Sequence, residues 1–255
     1  MALKEPTYDS RVGGAGTGSG SLLVVGAHAA DFVWRAAGTI ALHTARGWRA
    51  TVVALSYGER GESGDLWRDA GQTVENVKRI RQAECTAAAA AVGAELVPFD
   101  LGDYPLVVPP EAIQRLAELI REAAPQVVIT HTPADPFNPD HPVASAAADL
   151  ARKLAMGAAG VASAFRTIPP PRMYLFEPHH PEQCGFKPDS FVDITEVAER
   201  KEQAMAAMKA QAYLRDHYRQ RAEQRAVQAR YFGAGPQTRY VEAFQRATPA
   251  LLEEL

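Results

Sequence analysis

Long apolar runs are missing from this 255-residue chain, and none nears the ~18 residues that a membrane-crossing helix needs. The first twenty residues lack the apolar centre of a secretory signal. Rich in Gly and Ser, they read as a flexible extension over residues 1–20. Cysteine is scarce: Cys85 and Cys184 lie far apart and form no CxxC pair, which excludes a disulfide framework and suits a reducing, cytoplasmic compartment. An excess of one charge is missing too. With 27 Lys and Arg against 30 Asp and Glu, mixed along the chain for a net charge of −3, neither nucleic acid nor a membrane surface is an expected partner. No internal repeat is visible.

What is present is enough apolar residue, 47%, to bury a substantial core, and the length suits one domain over residues 21–255. Short apolar runs alternate with longer helical patterns, the mark of βαβ units. "SLLVVGAH", "ATVVALSY", "AELVPFDL" and "QVVITH" read as four parallel strands, with helices over about 32–46, 74–92, 110–123 and 141–155. The helix at 110 opens on proline, which suits a first turn. "PPPRMYLFEP" and "DSFVDIT" read as later strands, and Thr195 is placed to cap a helix running to about residue 213. The charged stretch "HYRQRAEQRAVQARYFG" reads as a surface or subunit-contact helix. The expected fold is α/β, Rossmann-like, a mostly parallel sheet flanked by helices.

In such sheets ligands bind outside the carboxyl ends of the strands, where loops converge and helix N-termini point inward. Titratable residues gather there: His28 and Asp31 after the first strand, "SYGERGES" after the second, "THTPADPFNPDH" after the fourth and "FEPHHPEQCGF" after a later one. Divalent ions take imidazole nitrogen and carboxylate oxygen, so His28, Asp31 and His141 form a candidate His₂Asp site for one divalent ion. Such a set accepts zinc, iron or manganese. A lone histidine at a strand end is commonly a hydrogen-bonded structural residue, and the case rests on three ligands sharing one rim. Cys85, in "QAECTAAAAAVG", reads as helix core. Trp34 and Trp48 read as packing residues, and Trp67 as lining the loop after Glu62.

"VVGAHAAD" followed by "VVITHTPADPFNPDHPVA" resembles the zinc-dependent LmbE-like (PIG-L) deacetylase family. The likeness extends through "VENVKRIRQAECTAAAAAVGAE", "FKPDSFVDIT" and "RYVEAF", nearly everything after residue 21. The family motif Ala-His-Pro-Asp-Asp implies zinc ligation by His28 and Asp31, and the histidine closing Pro-Asp-His implies His141 as third ligand. Asp140 would then orient a ligand. The resemblance also implies an oligomer of identical chains.

Three departures stand out. The motif's first aspartate, the base that activates water for amide hydrolysis, corresponds to Ala30, its proline to Ala29, and Asn138 stands where many deacetylases carry an oxyanion-stabilising histidine. A methyl group cannot take a proton. "LSYGERGESGDLW", "GQTVENVKRIRQAE" and "FEPHHPEQCGF" resemble instead the family's hydratase branch, which acts in gallate and protocatechuate degradation. That implies water addition across the double bond of 4-oxalomesaconate, an oxo-tricarboxylate, giving 4-carboxy-4-hydroxy-2-oxoadipate. The competing expectation is a zinc-dependent N-deacetylase with a recruited base.

Hydration needs a base for water and an acid for the carbon beside the ketone. Glu62 is the expected base and His179 the expected acid, with the roles exchangeable and Glu59 and His180 as rivals. Three substrate carboxylates call for guanidinium contacts, for which Arg60 and Arg81 are candidates. Arg81 with Glu84 reads equally well as a helix-surface pair.

Overall fold

A computed structural model describes residues 19–157 and 163–249, so all but the end of the extension expected over 1–20 lies outside the described residues. Seven strands form one sheet: β1 (Ser21–Gly26), β2 (Arg49–Ala54), β3 (Glu95–Pro98), β4 (Val127–Thr130), β5 (Arg172–Phe176), β6 (Ser190–Asp193) and β7 (Val241–Arg246), in the order β3-β2-β1-β4-β5-β7-β6. The first five run parallel, and β7 runs antiparallel to both β5 and β6.

The apolar run in β1 is buried on both faces because helices cover both. Side chains alternate across a strand. Leu22 and Val24 therefore pack with α1 (Asp31–Ala45), α2 (Val74–Val92) and α5 (Ala198–Ala207), while Leu23 and Val25 pack with α3 (Pro110–Ala123) and α4 (Asp140–Met156). Helix ends follow local chemistry. Thr73 accepts the Asn76 N–H to start α2, Gly93 ends it with φ +71°, and Pro110 sits in the first turn of α3.

Three features depart from the sequence reading. A single helix over 195–213 is expected, but α5 stops at Ala207 and α6 begins only at Leu214 and runs to Arg230. The break has a long-range cause: Glu84 Oε1 captures the Ala210 N–H, and Gln211 turns inward to Arg81. Thr195 does not cap the helix, since its hydroxyl accepts the Arg239 and Tyr240 N–H groups leading into β7. Strand β7 itself is not evident in the sequence because Glu242 interrupts it. The carboxylate is buried against Lys201 Nζ, 2.6 Å away, and the Gly38 and Thr39 N–H groups.

The topology sets the site. Sequential strands step outward from β1 to β3, then the chain returns to place β4 on the other side of β1, opening a crevice between their carboxyl ends. The turn after β1 and the long loop after β4 both empty into it.

Candidate metal centre

The turn "GAHAAD" is tight enough to bring a histidine and an aspartate of one segment onto a common centre. A Cβ on Gly26 would lie 3.0 Å from the Asp31 Cβ, so glycine there lets the first residue of α1 fold back on the strand end. Asp31 Oδ2 then accepts the His28 N–H at 2.7 Å. Gly58, at φ +70°, passes so close to His28 and Glu62 that a Cβ would meet each at 3.2 Å. The β2 loop thereby lies against the β1 turn.

Both imidazoles have one nitrogen held and one free. His28 Nε2 lies 3.1 Å from Asp140 Oδ2, and His141 Nδ1 lies 2.8 Å from Asp135 Oδ2. Ionised carboxylates only accept hydrogen bonds, so each of those nitrogens keeps its proton and the other is the one that can offer a lone pair to an ion. Among the described residues, His28 Nδ1 and His141 Nε2 are buried without a hydrogen-bond partner. His28 Nδ1 lies 3.6 Å from Asp31 Oδ2 and, out of line for a hydrogen bond, 3.2 Å from Glu62 Oε1. His141 Nε2 is 3.5 Å from Asp31 Oδ1 and 3.8 Å from Glu62 Oε1. Ligand atoms of His28, Asp31, Glu62 and His141 all fall within 4.8 Å of one another. Two ring nitrogens and two carboxylates turned on one another call for positive charge between them, a proton on His28 or a bound cation, and that donor set fits a divalent ion.

The charges respond accordingly. Burial alone would lower the His28 pKa, yet Glu62, Asp140 and Asp31 hold it well above the ordinary imidazole value. Burial opposes ionisation of Asp31 as well, but His131, Arg35 and His141 keep its carboxyl well below the usual range. Arg35, four residues on, places Nη1 2.6 Å from Asp31 Oδ1. His131, stacked on His141 with ring centres 4.0 Å apart, has Nε2 3.0 Å from Asp31 Oδ2. Burial and the neighbouring His141 press its pKa down to about 3.

Of the two glutamates in the β2 loop, Glu62 faces this centre. It accepts from Asn138 Nδ2 at 3.1 Å and Gln211 Nε2 at 3.5 Å, and although burial raises its pKa, His28 brings it down to about 2. Glu59 is buried and turned away, its nearest cation Lys78 at 3.7 Å, and burial with Asp103 nearby raises its pKa. Asp103 fixes the loop by accepting the Arg60 and Gly61 N–H groups, and Trp67 Nε1 donates to the Glu59 carbonyl.

His179 Nδ1 lies 3.3 Å from the Tyr218 hydroxyl, and burial and Arg35 push its pKa down to about 3. His180 is exposed and packs on the Phe137 ring. Arg60 is half exposed and donates to the Asp103 carbonyl. Arg81 is fully buried, so the surface-pair reading does not hold. It binds Glu84, the Tyr57 carbonyl and Gln211 Oε1. Asp140 also accepts the Tyr104 and Leu106 N–H groups. Arg35, His131 and Asp135 escape the sequence reading despite local signals: four-residue helical spacing from Asp31, a strand end, and the acidic run before His141. Gln211 and Tyr218 have no such signal.

The chain matches the GlcNAc-PI de-N-acetylase (PIG-L) family over residues 23–152. It is 44% identical over 238 residues to the 4-oxalmesaconate hydratase of Pseudomonas putida, covering 92% of each chain. The crystal structure of GalB, the 4-carboxy-2-hydroxymuconate hydratase from Pseudomonas putida, superposes with a TM-score of 0.89 at 43% identity, over 92% of this chain and 99% of that one. A 1D-myo-inositol 2-acetamido-2-deoxy-alpha-D-glucopyranoside deacetylase from Rhodococcus erythropolis is 33% identical over 162 residues, 54% of each chain. N,N'-diacetylchitobiose deacetylase from Pyrococcus horikoshii shares the fold, with a TM-score of 0.72 at 20% identity over 89% of this chain and 83% of that one.

Proposed function

Since the chain belongs to the PIG-L (LmbE-like) family, we propose that it is a metal-dependent hydro-lyase that hydrates 4-oxalomesaconate to 4-carboxy-4-hydroxy-2-oxoadipate. The two hydratase names describe keto and enol forms of one tricarboxylate skeleton. The observation that carries this reading is position 30: where the deacetylase motif has its base, Ala30, the residue just before α1, is fully buried in the apolar core. The second carboxylate facing the two imidazoles, beside Asp31, comes instead from Glu62, in a loop that resembles the hydratase branch.

Water adds to the double-bond carbon remote from the ketone, and negative charge moves toward the 2-oxo acid end. Glu62, ionised and steered by Asn138 and Gln211, takes the water proton. His179 delivers a proton to the carbon beside the ketone. Burial and Arg35 keep it neutral in the free protein, and three incoming carboxylates favour its protonated form. His28, Asp31 and His141 would hold the divalent ion, with Asp140 and Asp135 orienting the two imidazoles. When bound, the ion supplies positive charge against the developing enolate.

In this reading the ion is zinc, residues 21–255 act as one catalytic domain, and the pathway is gallate or protocatechuate degradation. The protein is cytoplasmic and homo-oligomeric. Both cysteines are free, and no described helix is long and apolar enough to cross a membrane. The test is spectroscopic. Purified protein with metal consumes the conjugated enone absorbance of 4-oxalomesaconate and releases no acetate from N-acetyl sugars. Metal-dependent acetate release with the enone untouched would overturn the proposal in favour of a deacetylase.

A further inference from the structure

Helix α6 reads in the sequence as a charged, solvated helix, yet one of its faces is committed to a single loop. Tyr218, Arg221 and Arg225 are spaced i, i+3, i+7, so they share that face. All three turn to residues 177–179, the segment that leaves β5 and carries His179. Arg225 Nε lies 3.1 and 3.0 Å from the two Glu177 carboxylate oxygens. Arg221 Nη1 donates to Glu177 Oε1 at 2.7 Å, and its Nη2 donates to the His179 carbonyl at 3.1 Å. The Tyr218 hydroxyl lies 3.3 Å from the His179 Nδ1.

Backbone and ring of His179 are thus held from the same helix. Glu177 is buried, so two guanidiniums on its carboxylate make a rigid, water-poor anchor rather than a surface ion pair. Tyr218 is buried as well, and its ring stacks on Trp34 with centroids 5.5 Å apart and planes 18° off parallel. Its hydroxyl has little freedom to turn away. A phenol both donates and accepts, so it can pair with Nδ1 whether or not that nitrogen carries a proton. In either state Nε2 is the ring nitrogen that Tyr218 does not engage.

We propose that Tyr218 is a positioning residue for the hydration reaction, acting through His179: it engages Nδ1 and so reserves Nε2 for proton transfer, while Arg221 fixes the backbone beneath. The inference rests on His179 being the acid, and the experiment separates the two. Tyr218→Phe keeps the stack on Trp34 and removes only the hydroxyl. Its kcat falls by about ten- to a hundredfold while KM stays within about twofold and Tm within about 2 °C. His179→Ala lowers kcat by about a hundredfold or more. In the His179→Ala background, adding Tyr218→Phe changes kcat by less than about twofold, because the group it served is gone. Arg221→Gln lowers kcat in the same KM-independent way.

An additive loss in the double variant, or a Tyr218→Phe enzyme with unchanged kcat beside an impaired His179→Ala enzyme, overturns the positioning role and leaves His179 standing. Full activity of His179→Ala removes both.

Discussion

Asp31→Asn is the most exacting perturbation, because one atom change removes a carboxylate that faces both imidazoles and Arg35 at once. Asp31 is fully buried, with Oδ1 2.6 Å from Arg35 Nη1 and Oδ2 accepting the His28 N–H at 2.7 Å. Asparagine keeps the shape, drops the charge and turns an NH₂ toward one of those donors. Arg35, itself nearly fully buried, then loses its one close ion pair among the described residues, with Glu62 and Asp135 acting only from farther off. Breaking a buried ion pair by removing one partner costs ~3–5 kcal/mol. At ~2–4 °C per kcal/mol for a domain of this size, the metal-free variant should melt ~6–20 °C below the metal-free wild type at neutral pH. Thermal unfolding in chelator isolates this effect from lost metal binding. Asp31→Asn/Arg35→Met removes both charges and recovers more than half of the loss. Because the Asp31 carboxyl is held below its unfolded value, its contribution is complete above about pH 4 and fades as the pH falls through the folded pKa, so wild type and variant converge in acid. A single variant melting within about 2 °C of wild type, or a double variant no better than the single, would refute the reasoning.

Glu62→Gln preserves shape and hydrogen bonding but cannot take a proton; kcat should fall by about a hundredfold or more with metal content unchanged, and near-normal turnover would contradict its role as base. Ala30→Asp buries a carboxylate in an apolar core, so it should lower Tm and release no acetate from N-acetyl sugars, whereas a strong gain in deacetylation would mark the chain as a disabled deacetylase. Metal binding must displace the proton that His28 holds above its ordinary value, so affinity weakens as the pH falls below that raised pKa, with proton release measurable by calorimetry in two buffers. For the metal-free protein the sign is opposite: the protonated His28 stabilises fully below about pH 6.5, and that contribution is lost as the pH rises through its folded pKa.

The parts legible in the sequence are those with local causes. Thr73 and Gly93 bound α2, Pro110 opens α3, and the apolar runs of β1, β2 and β4 announce buried parallel strands. The three-residue step from His28 to Asp31, with a second histidine opening a later helix, points to the candidate cluster in the same way. Long-range causes hide the rest. β7 is masked by Glu242, whose burial makes sense only beside Lys201 and α1. The break before α6 depends on Glu84 and Arg81, over a hundred residues earlier in the chain. Choosing between Glu59 and Glu62 needs the loop conformation that Asp103 imposes, and Tyr218 reaches His179 only because α6 docks where it does.

The account stands on one cation held between the β1 turn and the start of α4, and anomalous diffraction from a zinc-soaked crystal tests it most directly. It predicts a single strong peak about 2.0–2.2 Å from His28 Nδ1, His141 Nε2 and an Asp31 carboxylate oxygen. A peak elsewhere, or no peak at all, would contradict it.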